Sequence, residues 1–383
     1  MKKQFIIFFS IVFSFLTVVN TYIFFRLNTL FPPDYFWLST TIFIILALGY
    51  IIGRQLEKSY GGPISRFIVY SGSFYLAVMV YLLLGFLITE PVYIINVLFP
   101  GTRDTIDFVS FKNRQTISAY VAAAAVLLTL AGYINARMVR IKKLNLSIGK
   151  SAGKLKSLRI AMASDIHLGS IIGPRRVRGL KEKLNSLKAD IILFPGDILD
   201  EDLGVVIRND LGKLLREISA KYGVYAVNGN HEYIGGVNEA DKYLTEHGIK
   251  LLRDEAVLID ESFYVVGRED RSSNSFAGKK RKKLDELLTG LNKNLPVIVL
   301  DHQPFHLNEA EENQVDLQLS GHTHHGQLFP FNFITKKVYE LSYGYLQKGN
   351  THYYVSCGFG TWGPPIKTTA RPEILLIELS FGS

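Results

Sequence analysis

Apolar positions divide this 383-residue chain unevenly: long uninterrupted runs fill the first third, and short runs broken by polar clusters fill the remainder. Four runs, at residues 5–25, 35–52, 67–88 and 117–136, are nearly free of charge. Each has about the 20 residues that a helix needs to cross a bilayer core, where backbone groups must find partners within the helix itself. The breaks are legible as Pro32-Pro33-Asp34, as the stretch from Arg54 to Arg66 with Gly61-Gly62-Pro63, and as the stretch from Pro100 to Arg114. The apolar segment 91–100 is too short to span alone and either lies in the interface or extends the third helix. A cleaved signal peptide is the competing reading of the first run, because it follows Lys2 and Lys3. Its length, the lack of a small-residue cleavage site and the three further spans argue against that.

After Leu158 the period changes. Strands are predicted at 158–163, 191–194, 223–227, 263–266, 296–300, 317–319, 353–356 and 374–379, and helices at 175–187, 209–220, 238–247 and 282–291. Strands alternating with helices predict an α/β domain. The expected organisation is a four-helix, multi-pass membrane region over 1–136, a basic juxtamembrane linker over 137–157 and a catalytic domain over 158–383.

The net charge of +9 admits nucleic acid, an anionic membrane surface or a phosphorylated substrate as partner. Much of the excess lies in one run, Arg137, Arg140, Lys142, Lys143, Lys150, Lys154, Lys156 and Arg159, with no acid among them. That run reads as a topology signal or as a patch for anionic headgroups. Together with Lys2, Lys3, Arg54, Lys58 and Arg66 it outweighs Arg26, Arg103, Lys112 and Arg114 on the opposite side, so both termini and the catalytic domain are expected in the cytoplasm of a multi-pass cell-membrane protein. No helix-turn-helix, zinc-finger or aromatic RNA-binding pattern occurs, so no nucleic-acid partner is expected. The single cysteine, Cys357, excludes an intramolecular disulfide. The few polar residues of the spans, Asn20, Glu90 and Asn135, sit near their ends, which argues against a transporter.

Five polar clusters follow predicted strands: Ser164-Asp165-Ile166-His167, Pro195-Gly196-Asp197, Asn228-Gly229-Asn230-His231-Glu232, Asp301-His302 and Ser320-Gly321-His322-Thr323-His324. Ligands of open α/β sheets bind beyond the carboxyl ends of strands, so the five should converge. Asp165, His167, Asp197, Asn230, His302, His322 and His324 offer carboxylate, imidazole and amide oxygen without thiolate, a set suited to Mn, Fe or Zn. Seven such groups exceed what one ion with room for water needs, and they suit two divalent ions sharing a carboxylate.

The ordered series Asp-x-His, Gly-Asp, Gly-Asn-His-Glu, His and Gly-His-x-His resembles the calcineurin-like metallophosphoesterase superfamily over roughly 158–379. Within it, the chain is similar to the membrane-linked bacterial branch that includes YkuE and YaeI, and to the eukaryotic transmembrane protein with a metallophosphoesterase domain. The resemblance implies a β-sandwich flanked by helices. It implies one metal held by Asp165, His167, Asp197 and His324, and a second held by Asp197, Asn230, His302 and His322 with Asp197 bridging. It also implies His231 beside them, contacting phosphate and protonating the leaving group. His325 stands where the branch often has glycine.

The expected activity is therefore metal-dependent hydrolysis of a phosphoester or pyrophosphate bond, with His231 and Asp197 as catalytic residues. The expected partners are membrane lipid and a phosphorylated small-molecule or lipid substrate, such as a phospholipid or nucleotide-linked lipid. Two other readings stand: a tethered phosphatase of soluble nucleotides or phosphoproteins, and a membrane sensor or partner-binding module with a metal-binding output domain. Among lesser candidates, Glu232 is either a ligand-orienting group or a helix-start carboxylate, and Asp301 either supports His302 or is a turn residue. His325, Arg268, Asp270 and Trp362 are candidates for the cleft or its rim, and His247 is a helix-end cation.

Overall fold

The structure, a computed structural model, describes residues 2–382; the side chains at 2–6, 8 and 9, among them Lys2 and Lys3 of the expected sidedness signal, lie outside the described residues. Two compact units divide the chain between Tyr133 and Ile134.

The first unit holds α1 (Lys2–Leu27), α2 (Phe36–Ser59), α3 (Pro63–Leu98) and α4 (Phe111–Asn135). Among the described residues, four helices are long and apolar enough, by length and composition, to cross a membrane. The 91–100 segment resolves toward the second of its two readings, since α3 continues through Pro91 to Leu98. Two of the polar residues noted in the spans are paired. Glu90 bonds Tyr22 and lies 3.0 Å from the Arg26 guanidinium, and Asn20 donates to Leu16 O at 2.7 Å while accepting from Tyr75.

The second unit contains twelve strands: β1 (Arg140–Ser151), β2 (Ser157–Met162), β3 (Ile191–Pro195), β4 (Val224–Val227), β5 (Lys250–Leu251), β6 (Glu255–Ile259), β7 (Phe263–Gly267), β8 (Val297–Leu300), β9 (Leu317–Ser320), β10 (Gly344–Lys348), β11 (Thr351–Val355) and β12 (Glu373–Gly382). They form two six-stranded sheets, in the orders β1-β12-β2-β3-β4-β5 and β10-β11-β9-β8-β7-β6. The period-two alternation of apolar residues explains how the sheets stack. Ile191 and Leu193 of β3 face a core shared with Phe263 and Val265 of β7 and with Ile298 and Leu300 of β8. Ile192 and Phe194 point the other way, into a layer with Val177, Leu180 and Leu184 of α5 (Pro174–Ser186) and with α6 (Leu203–Arg208). Val297 and Val299 of β8 likewise face a third cluster with Leu284, Leu287 and Leu288. The result is a β-sandwich with helices on both outer faces, as the family resemblance implied. Because both faces of the inner strands are covered, these strands read as continuous apolar runs.

All eight strands expected from the sequence are interior strands, and the four that were not expected (β1, β5, β6 and β10) are the four sheet edges. Edge strands carry charge because one side of their backbone meets solvent and must not recruit another chain. The clearest correction is at 137–157, expected as a linker: most of it is β1, paired in parallel with β12 from Arg140↔Glu373 onward. Its cations serve this unit. Lys150 bridges Asp316 at 2.7 Å, and the Lys142 ammonium lies 5.0 Å from the centre of the Tyr354 ring. A second correction concerns the helix expected at 209–220. The helix α6 ends before it at Arg208, Asp210 adopts φ 42°, which interrupts helical continuation, and within the segment a 3-10 turn forms at Lys213–Glu217.

Candidate metal centre

All five clusters gather at one end of the two sheets. Asp165 and His167 follow β2, Asp197 follows β3, His302 follows β8, and His322 and His324 follow β9. Asn230 opens α7 (Asn230–Gly235) immediately after β4, and α8 (Val237–Glu246) succeeds it. Five of the seven donor residues take left-handed backbone: Asp165 φ 51°, His167 49°, Asp197 52°, His322 71° and His324 47°. Each such non-glycine residue costs about 1–2 kcal/mol. Internal hydrogen bonds hold them there: His322 N donates to Asp165 Oδ1 at 2.8 Å, His231 N to Asp197 Oδ1 at 3.0 Å, and His167 N to Asp197 O at 3.0 Å.

The donors form two groups. In the first, His167 Nε2 and His324 Nε2 are 3.0 Å apart, His324 Nε2 is 3.5 Å from Asp165 Oδ1, and His167 Nε2 is 3.8 Å from Asp197 Oδ2. In the second, His302 Nε2 lies 3.2 Å from Asp197 Oδ2 and 3.2 Å from Asn230 Oδ1, and His322 Nδ1 lies 2.8 Å from Asn230 Oδ1. Within Asp165-His167-His324, and again within Asp197-His302-His322, ligand atoms all fall within 4.8 Å of one another. His302 Nδ1 donates to Pro195 O at 2.9 Å, which directs Nε2 inward.

The donor set fits a divalent metal on chemical grounds. Burial lowers His167 and His322 to about 3, keeping both imidazoles neutral, the form that binds a metal. Burial also raises Asp165 to about 6. Burial opposes charge on His302 as well, yet Asp197 draws it well above its ordinary value, and buried carboxylates that attract positive charge in this way form a cavity that a cation satisfies.

Supporting groups fix this arrangement. Glu232 Oε2 accepts from Gly229 N at 2.7 Å and Asp197 N at 3.2 Å, and Oε1 accepts from Leu199 N at 2.8 Å. It therefore holds the Asp197 loop. Gly229 and Gly321 are required by close approach: a Cβ at Gly229 would lie 2.1 Å from Asp197 Oδ1, and one at Gly321 2.2 Å from Asp165 Oδ2.

His231 stands over His167, with ring centres 4.6 Å apart, and lines the pocket together with Asp197, Asn230, His322, His324 and Trp362. Its Nδ1 is 3.3 Å from Asp200 Oδ1. Burial opposes its charge, but Asp197 and Asp200 prevail and raise it to about 9. Asp200 was not anticipated, although it stands three positions beyond Asp197 in Gly-Asp-Ile-Leu-Asp and so was available to inspection. Lys367 was also missed. It is buried, and its ammonium bonds Cys357 O and, at 2.9 Å, Gly358 O beneath Asp165.

Several lesser candidates do other work. Asp301 does not serve the His302 ring; its carboxylate pairs with Arg268 at 3.0 Å and Arg281 at 2.7 Å, which keeps Arg268 out of the cleft. Asp270 accepts from Gln303 at 3.0 Å. His325 lies 3.1 Å from Ser342 Oγ, outside the pocket lining. His247 caps α8, bonded to Tyr243 O and, at 2.9 Å, to Asp210.

A family model described as calcineurin-like phosphoesterase matches residues 158–326. The chain is 32% identical over 257 residues to an uncharacterized metallophosphoesterase of Aquifex aeolicus, covering 67% of this chain and 97% of that protein. It is 29% identical over 281 residues to the uncharacterized metallophosphoesterase YkuE of Bacillus subtilis, covering 67% and 93%. It is 27% identical over 278 residues to a transmembrane protein with metallophosphoesterase domain of Danio rerio, covering 70% of this chain and 63% of that protein.

Proposed function

The chain belongs to the calcineurin-like metallophosphoesterase family and is a metal-dependent phosphoester hydrolase; we propose that it uses two divalent ions, and that its four apolar helices anchor it so that it acts on an amphiphilic phosphoester or pyrophosphate. The observation that carries the two-ion reading is the sharing of Asp197, whose Oδ2 approaches both His302 at 3.2 Å and His167 at 3.8 Å. Asp165, His167, Asp197 and His324 hold one ion, and Asp197, Asn230, His302 and His322 hold the other. The charge distribution of the flanks favours a cytoplasmic catalytic unit.

When bound, such ions supply Lewis acidity that activates water and neutralises charge on phosphoryl oxygens. The protein's own contribution is positional and protonic. His231 holds a proton at the pocket wall and delivers it to the departing oxygen, and Asp200 orients its ring through Nδ1. Glu232 keeps the Asp197 loop in register. The buried walls exclude water from all but the open mouth, which strengthens each electrostatic interaction inside. Full-length protein loaded with Mn²⁺ is expected to hydrolyse bis-aryl phosphate. A mass-spectrometric screen of lipid extracts, wild type against Asp197→Ala, is expected to show loss of an amphiphilic phosphoester with the wild type alone. Absence of turnover on every ester would overturn the reading.

A further inference from the structure

The pocket wall continues directly into an exposed apolar surface. Gly326 and Gln327 line the pocket, and the chain then runs through Leu328-Phe329-Pro330-Phe331 into a short helix, Asn332–Val338. Phe329, Phe333, Ile334 and Val338 are each more than half exposed, and Trp362 at the pocket edge is 58% exposed. These residues are tied together. Gln327 clamps Trp362 through both ends of its amide, donating to Trp362 O at 2.7 Å and accepting from Trp362 N at 2.9 Å. Phe329 N donates to Thr368 at 2.8 Å, Thr368 N returns a bond to Gln327 O at 2.9 Å, and the Phe329 and Phe333 ring centres are 5.9 Å apart. Ile207, Leu258 and Phe276, also exposed in this unit, stand singly along the sequence.

Contiguous apolar surface of this kind marks a binding face in a soluble domain. Charge indicates what covers it. The same helix exposes Lys336 and Lys337, and neither forms an ion pair among the described residues. Aromatic and branched side chains beside unpaired lysines are the composition of elements that lie in the headgroup–acyl boundary of an anionic bilayer. An exposed tryptophan favours the same depth.

We propose that this rim is a bilayer-docking surface. Phe329, Phe333, Ile334 and Val338 enter the boundary region of an anionic membrane, Lys336 and Lys337 rest on its phosphates, and Trp362 forms the shoulder between lipid and pocket. The catalytic mouth then opens at headgroup depth and receives the phosphoester of a membrane-resident lipid. The substrate class rests on the hydrolase reading above, whereas the docking itself does not.

The test uses full-length protein reconstituted in vesicles containing anionic lipid. Trp37→Phe leaves Trp362 as the sole tryptophan, since the chain has two. Lipids brominated high in the acyl chain are expected to quench Trp362 strongly, and lipids brominated near the chain end weakly. Free quenching by aqueous acrylamide with no effect of brominated lipid would overturn the proposal. Shielding from acrylamide without bromolipid quenching would place protein over the rim, either a second copy or this chain's own helices, and would overturn it too. The double variant Phe333→Asp/Val338→Asp should lose bromolipid quenching and slow hydrolysis of bilayer-embedded phosphoester at least about tenfold, while bis-aryl phosphate turnover changes less than about twofold. An equal fall on both substrates would overturn it. Quenching without any bis-aryl phosphate turnover by the wild type would leave docking intact and sink the hydrolase reading instead.

Discussion

Asp197 Oδ2 lies 3.2 Å from His302 Nε2, with both side chains sealed from solvent. The contact joins two loops from different sheets through one carboxylate that also reaches the other donor group. Asp197→Asn preserves size and removes the shared charge. Elemental analysis after Mn²⁺ loading is expected to fall from two ions per chain to one or fewer. Turnover should drop at least about 10³-fold, roughly 4 kcal/mol of barrier.

The His231–Asp200 pair predicts a dependence on leaving group. His231→Gln should slow esters of poor alkyl leaving groups by about 10²–10⁴-fold, the range of general acid catalysis. Esters of nitrophenol, which departs without a proton, should be affected far less. Asp200→Asn should show the same pattern more weakly. Equal losses on both ester types would remove His231 from the acid role.

A methyl group at Gly229 has nowhere to go, because Asp197 Oδ1 would lie 2.1 Å away. Gly229→Ala is expected to displace that carboxylate, lower thermal stability by about 1–3 kcal/mol and reduce metal occupancy. Retention of wild-type occupancy would show that the loop can yield.

Glu269 supplies a pH-dependent contribution away from the metal centre. Burial alone would raise its pKa, but Tyr233, Lys279 and Arg253 outweigh that and hold it below its ordinary value; the Lys279 and Arg253 contacts are each 2.9 Å. A depressed folded-state value stabilises the fold above the ordinary glutamate value near 4.5, and that stabilisation is lost as pH falls through the folded value. Glu269→Gln should therefore cost about 1–3 kcal/mol at neutral pH. The gap between variant and wild type in thermal unfolding should close progressively below pH 4.5.

Cys357 is buried, and burial raises its thiol to about 12. Maleimide at pH near 8 should leave it unmodified in the native protein and label it fully in denaturant. Rapid native labelling would indicate that the loop beneath Asp165 opens.

Legibility in the sequence followed burial. Interior strands such as β3 and β8 were evident because both faces are apolar. β1 was hidden by Arg140, Lys142, Lys143 and Lys150, whose partners, including Asp316 and Glu373, lie far away in sequence. The seven donors were legible because each sits at a strand end beside characteristic neighbours, and the structure brings all seven together. Asp200 and Lys367 were less so. One acts through His231 and the other through backbone carbonyls, and neither relation has a local pattern. The helix expected at 209–220 failed because its periodicity is apolar enough, yet Asp210 turns the chain at φ 42° and the Tyr243 hydroxyl accepts from Gly212 N at 2.8 Å.

The parallel pairing of β1 with β12 has a consequence for biogenesis. Among the described residues, the strand that follows the last apolar helix has one neighbour in its sheet, synthesised 233 positions later, as at Arg140 and Glu373. A ribosome must therefore synthesise every strand and loop that carries a candidate metal ligand before that lysine-rich edge acquires a partner. Nascent chains stalled before Glu373 should remain protease-sensitive at 140–151, and emergence of Glu373–Gly382 should close the sheet in a single late step.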